Sequence, residues 1–207
     1  MHQQIAIAGI HTGIGKTIAA AVLAEAFRAH YWKPVQAGLE ESDSLRVATL
    51  TSDKVVVYNE AVRLTAPLSP HAAAHIDGVA VNYKSFVFPE TQHGLLVETA
   101  GGLFSPINDT DTMADFITYF KLPVILIVRH YLGSINHTLL TVATLRQRRI
   151  PILGMIINGD PEPESEQFIH TYTGLQVWGR IPELHTINKA SVALCAAELQ
   201  HLNPFKS

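Results

Sequence analysis

A single cysteine, Cys195, stands in a chain of 207 residues, so no disulfide can form within it, and a reducing, cytoplasmic setting is expected. Long apolar runs are missing too. One of the longest, Leu122–Val128 (LPVILIV), falls far short of the ~20 residues that cross a bilayer. The opening MHQQIAIAGI has no cationic stretch, and its apolar run breaks at Gly9. Neither a secretory leader nor a membrane partner is expected. Positive charge is not in surplus: 15 Lys+Arg against 18 Asp+Glu leave a net −3, which offers no field for a phosphate backbone. Nucleic acid is therefore not an expected partner. The one basic cluster, Arg146, Arg148 and Arg149, ends a helical pattern, where cations suit the negative helix end. Repeats and low-complexity segments are also lacking.

What is present is enough apolar residue, 47% of the chain, to fill one core, and residues 1–207 read as a single domain. Short apolar runs alternate with longer amphipathic ones. That pattern predicts an α/β fold, with a mainly parallel central sheet and helices on both faces. Strands are expected at Ile5–Ala8, Pro34–Gln36, Leu95–Glu98, Val124–Val128, Ile152–Ile157 and Val177–Trp178. Helices are expected at Lys16–Ala29, Met113–Tyr119, Ile135–Arg146, Glu164–Thr171 and Ala190–Leu202. In such sheets the chemistry collects at the C-terminal ends of the strands.

One of those ends carries Gly9-Ile10-His11-Thr12-Gly13-Ile14-Gly15-Lys16-Thr17, after a strand and before a helix. Glycines let backbone N–H groups converge on phosphate oxygens, and the helix adds its positive end. Gly13, Ile14, Gly15, Lys16, Thr17 and Ile18 are the expected nucleotide contacts. Lys16 would reach the β- and γ-phosphates of a nucleoside triphosphate such as ATP, and Thr17 would ligate Mg²⁺. The first glycine lies one residue earlier than in the strict phosphate-loop spacing, where Ile10 would be glycine.

A second lysine, Lys33, precedes Pro34, which favours extended geometry at the expected strand's start. Beside a phosphate loop it could neutralise a transferring phosphoryl group or an anionic nucleophile, although a solvated strand-end lysine is the plainer reading. Asp43 opens a helical pattern, where an acid is often only a cap. Glu98 ends a strongly apolar strand ahead of the Gly101-Gly102 turn. Hard oxygens from Thr17, Asp43 and Glu98 would suit an Mg²⁺ shell.

Taken together these residues resemble the ATP-dependent dethiobiotin synthetases, a family with the phosphate-loop fold. The likeness runs through YWKPVQAG, Ser42-Asp43, PLSPH (67–71), VETAGGLFSPIND (97–109), LPVILIV, LGSINHTLLT (132–141), IING (156–159) and GRIPEL (179–184). The extra loop residue between Gly9 and Gly15 matches the family's spacing. The resemblance implies that CO₂ adds to an amine of diaminopelargonate, that ATP phosphorylates the carbamate, and that the neighbouring amine closes a ureido ring. It implies Lys33 and Lys16 as the catalytic lysines, and Thr17, Asp43 and Glu98 as Mg²⁺ ligands. Gly101, Asn158, Gly159 and the Pro182-Glu183-Leu184 turn would join the nucleotide site, Asn158 at the adenine edge. Thr12, Lys33, Ala37, Gly133 and Asn136 would meet the substrate, with Gly133–His137 contributed by the partner in a homodimer. Three positions depart from the family's habit: Ala37 for a hydroxyl residue, Thr99 for glycine, and His11 for aspartate. The stretch from Gly38 to Asp43 is also short.

Other signals lead elsewhere. His71 and His75 share a helix face in HAAAH but lack a third zinc ligand, and Asp109–Asp115 and Pro161–Glu166 read as acidic helix starts. A partitioning or septum-site ATPase switch would have the same kind of fold but carries a signature lysine where His11 stands. An amidating synthetase would need a further domain, and a nucleotide-binding paralogue with another substrate is the remaining alternative.

Overall fold

The computed structural model describes residues 4–40 and 42–205. Among the described residues nine strands and seven α-helices follow one another as β1 (Gln4–Gly9), α1 (Lys16–Phe27), β2 (His30–Trp32), β3 (Val35–Ala37), α2 (Asp43–Leu50), β4 (Val57–Tyr58), β5 (Val62–Leu64), α3 (Pro70–Asp77), β6 (Leu95–Glu98), α4 (Met113–Tyr119), β7 (Val124–Val128), α5 (Ser134–Gln147), β8 (Ile152–Asn158), α6 (Pro163–Thr173), β9 (Val177–Ile181) and α7 (Lys189–Leu199). Seven strands make one sheet in the order β4-β2-β6-β1-β7-β8-β9, every pair parallel. The fold class is the expected one.

The central strands show why the sheet is closed on both sides. β6 (LLVE) and β7 (VILIV) are buried at every position, the signature of parallel strands covered on both faces. α1 carries alanines at 19, 20, 21 and 24, all fully buried, and their small side chains let it pack closely against both α2 and α7. On another flank α5 packs against α6. Thr112 and Asp115 cap α4 reciprocally, which accounts for the acid-rich approach to that helix.

The strand expected at Pro34–Gln36 is corrected. The chain makes two strands there: His30–Trp32 lies inside the main sheet between β4 and β6, and Val35–Ala37 leaves it to pair with Val62–Leu64 in a separate two-stranded sheet. Pro34 has no N–H to give a ladder, so the central strand stops before it. Lys33 therefore stands at the C-terminal end of a central strand rather than at the start of one. β9 also runs three residues beyond the expected Val177–Trp178.

The strand order reverses around β1. β1 leads leftward to β2, and β6 crosses to β7 on β1's other side, so β1 and β6 border the crevice in which such sheets bind ligands.

Candidate active site

Parallel register brings the chemistry together. Ile7 pairs with Glu98 and Trp32 with Val97, so Lys33, one residue further on, comes level with Glu98. Two residues beyond Ile7 the phosphate loop begins. Gly13 and Gly15 hold positive φ, 74° and 83°, conformations an L side chain resists. Gly15 caps α1, and a Cβ there would collide with the Asn158 amide. Asn158 ends β8 and donates from Nδ2 to the Ile14 carbonyl at 2.6 Å, clamping the loop to the sheet.

The Lys16 side chain curls back over this loop and donates to the His11 carbonyl at 3.3 Å. Burial is the main reason its pKa falls to about 8; Glu98 pulls it up, and Lys33 pushes it further down. Lys33 is 5% exposed and donates to both Asp43 and Glu98, the latter at 3.1 Å. Burial alone would lower its pKa, yet the Glu98 and Asp43 charges with their hydrogen bonds hold it above the ordinary value. The two carboxylates thus favour the ammonium form of Lys33. Asp43, in turn, would rise on burial, but the Lys33 ammonium and the Thr17 hydroxyl hold it below the usual carboxylate range.

Thr17 Oγ1 lies 2.7 Å from Asp43 Oδ1 and 3.1 Å from Glu98 Oε1. One hydroxyl and two carboxylates converging beneath a phosphate loop are hard donors of the kind a small divalent cation takes. Among the described residues no cluster of three His, Cys, Asp or Glu side chains could hold a metal; the third oxygen gathered at this point is the Thr17 hydroxyl. His75 instead meets Asp109 Oδ1 at 2.6 Å, and His71 meets the Ser69 hydroxyl.

These groups share a cavity of about 670 Å³ lined by Thr12, Gly13, Gly15, Lys16, Thr17, Ile18, Lys33, Ala37, Asp43, Glu98, Gly101, Asn158, Gly159, Pro182, Glu183 and Leu184. All of these were expected at the site from sequence, and other residues line the cavity too. Three expected residues do not line it. Ile14 buries its side chain in the core, leaving only its backbone for a ligand. Gly133 and Asn136 sit on the exposed first turn of α5, where the neighbouring His137 ring stacks on His11 with centroids 5.8 Å apart.

Sequence reasoning missed several neighbours. Gln36, Arg46, Ser105 and Arg129 also line the cavity, and Arg129 pairs with Glu183 at 3.0 Å. Gln36 is buried and accepts the Asp43 backbone N–H at 3.1 Å while its amide donates to the Gly38 carbonyl at 2.9 Å. Tyr31, fully buried, donates to Glu98 Oε2 at 2.9 Å. Its signal was available: Tyr31 and Lys33 are two apart, on one face of an extended segment. Thr99, by contrast, is structural, its N–H and hydroxyl both donating to the Ile7 carbonyl.

Comparison with known proteins bears on family and fold. A family model described as an AAA domain matches residues 3–191. The chain is 49% identical over 179 residues to the ATP-dependent dethiobiotin synthetase of Christiangramia forsetii, covering 86% of each chain. It is 45% identical over 205 residues to that of Rhodopseudomonas palustris, covering 98% of this chain and 96% of the relative. Among solved structures, the cell division ATPase MinD of Pyrococcus furiosus superposes with a TM-score of 0.58 at 14% identity, covering 98% of this chain and all of that one. A putative plasmid partition protein of Borrelia burgdorferi, bound to AMPPNP, gives 0.57 at 13% identity over 98% of this chain and 97% of its own. At such identities these two likenesses speak for the fold alone.

Proposed function

The chain belongs to the ATP-dependent dethiobiotin synthetases, and from that membership we propose how its residues divide the labour of making dethiobiotin in biotin synthesis. The reaction joins CO₂ to an amine of 7,8-diaminopelargonate, transfers the terminal phosphoryl group of ATP to the carbamate, and lets the adjacent amine displace phosphate to close the ureido ring. ADP and phosphate leave with dethiobiotin.

The observation that carries this reading is the buried Lys33 ammonium, level with Glu98 and facing Asp43 and Glu98 below the phosphate loop. Bringing a carbamate to a triphosphate sets two anions together, worth about 4 kcal/mol of repulsion at 4 Å and an effective dielectric of 20. Lys33 answers that repulsion from the carbamate side and Lys16 from the β- and γ-phosphates. Lys33 acts here as a positive charge. Thr17, Asp43 and Glu98 would hold Mg²⁺, which when bound neutralises charge on the phosphate oxygens. The chain then has little covalent work to do; it positions and neutralises.

Asn158, Gly159 and the Pro182-Glu183-Leu184 turn, which line the cavity, would border the base, and Thr12 and Ala37 the diamine. Gly133 and Asn136, which lie away from their own cavity, are proposed to serve the partner's cavity in a homodimer. The absence of the switch ATPases' signature lysine at His11 favours synthesis over nucleotide-driven dimerisation.

The test is purified protein with Mg²⁺-ATP and bicarbonate, with and without diaminopelargonate, following ADP and dethiobiotin by mass spectrometry. Dethiobiotin formed only with every component supports the reading. ADP release indifferent to the diamine, with no product, overturns it.

A further inference from the structure

Glu98 does not offer both of its oxygens to the cavity. Oε1 faces Thr17 and Lys33, at 3.1 Å from each. Oε2 accepts the Tyr31 hydroxyl at 2.9 Å, and among the described residues Tyr31 is its only hydrogen-bond partner. Both side chains are closed to solvent, Tyr31 at 0% and Glu98 at 1% exposure, so water cannot replace that bond. The tyrosine is itself fixed, its backbone N–H donating to Val56 and its residue pairing with Leu96 in the sheet. A carboxylate held this way turns Oε1 toward a cation and keeps Oε2 engaged with Tyr31.

That restriction discriminates between cations. Mg²⁺ demands near-octahedral geometry with single-oxygen contacts, whereas Ca²⁺ accepts six to eight oxygens and readily takes both from one carboxylate. We infer that Tyr31 is a positioning residue that keeps Glu98 a one-oxygen ligand and thereby makes the site select Mg²⁺ over Ca²⁺. The inference rests on the reading of Thr17, Asp43 and Glu98 as a cation site, and goes beyond it by giving Tyr31 a task.

The experiment is calorimetric titration of Mg²⁺ and Ca²⁺ into wild type, Tyr31→Phe and Glu98→Gln, each saturated with a non-hydrolysable ATP analogue. The phenylalanine keeps the packing and frees Oε2. Removing a partner of a metal-bound carboxylate typically weakens the metal by about 10–100-fold, so Mg²⁺ affinity should fall by about tenfold in Tyr31→Phe. Ca²⁺ affinity should hold or rise, so the preference for Mg²⁺ shrinks by at least that factor. Equal weakening of both ions, or an unchanged ratio, overturns the inference, since a purely structural tyrosine would shift both or neither. A wild type whose divalent binding is untouched by Glu98→Gln overturns the cation site itself, and with it this proposal. Should Tyr31→Phe melt below the assay temperature, Tyr31→Met, which likewise has no donor and fills a buried site flexibly, is measured by the same ratio.

Discussion

Replacing Lys33 by alanine separates two effects that share one side chain. Lys33 stands between Asp43 and Glu98, with 6%, 27% and 1% of the three side chains exposed. Removing one partner of a buried ion pair costs about 3–5 kcal/mol, because a charge is left uncompensated. Solvent at Asp43 screens part of this, so about 2–4 kcal/mol is expected. In a chain of this size each kcal/mol is worth roughly 2–4 °C, so the ligand-free variant should melt about 5–15 °C below wild type. A divalent cation would use the same oxygens that Lys33 now holds. Mg²⁺ with ADP should therefore raise the melting temperature of Lys33→Ala by more than it raises that of wild type. Turnover, however, should fall by about 10²–10³, some 3–4 kcal/mol of transition-state stabilisation, as for the loss of one preorganised donor. Thermal melts with and without Mg²⁺-ADP, alongside steady-state turnover, test all three. An unchanged melting temperature, an equal Mg²⁺ response and turnover within a few-fold of wild type would refute the reasoning.

Lys16, its pKa lowered to about 8 chiefly by burial, should be recharged by the phosphates, so nucleotide binding above about pH 8 takes up a proton. Calorimetry at about pH 8.5 in two buffers of different ionisation enthalpy measures this uptake; none in wild type would contradict the assignment. Thr99→Val removes one of two bonds to the Ile7 carbonyl and should cost about 1 kcal/mol in chemical denaturation. Because Thr99 does not line the active cavity, turnover should stay within a few-fold. Burial would raise the Asp115 pKa, but the Thr112 and Arg148 hydrogen bonds carry it down to about 2 from an ordinary 3.8. A depressed carboxyl stabilises the fold above the ordinary value, and that contribution disappears as the pH falls from about 4 to 2. Asp115→Asn should flatten that acid limb and cost about 1 kcal/mol or less at neutral pH, since solvent screens the Arg148 pair.

Much of this architecture was legible in the chain, and what was not has physical causes. β6, β7 and α4 fall where expected because their patterns are long and bounded by clear signals. β4 and β5, of two and three residues, are too short to show any period. The misplacement of Lys33 is more instructive. The proline that suggests an extended segment also ends the ladder before it, and three residues of aromatic and histidine (30–32) carry no alternation strong enough to announce a central strand. The phosphate loop, Lys33, Asp43 and Glu98 could be named because each has a chemistry of its own. Tyr31 and Gln36 were passed over because they act on those residues, although the spacing of Tyr31 from Lys33 was there to be read.

Gln36 bears on two of the departures at once. The sequence is short between Gly38 and Asp43, and Ala37 lacks the hydroxyl usual in the family. Gln36 is buried between these features: its amide donates to the carbonyls of Ala37 and Gly38, and its oxygen accepts the Asp43 N–H. One side chain thereby ties the end of β3 to the first residue of α2, fixing where Asp43 enters the site although the connection is trimmed. Ser42 completes the entry, its hydroxyl accepting the Leu45 N–H as the cap of α2. The carboxylate opposite Glu98 is consequently set by backbone held from two sides. Ala37 can then lack a hydroxyl without loosening Asp43, so under the proposed assignment any loss it causes would fall on contact with the diamine.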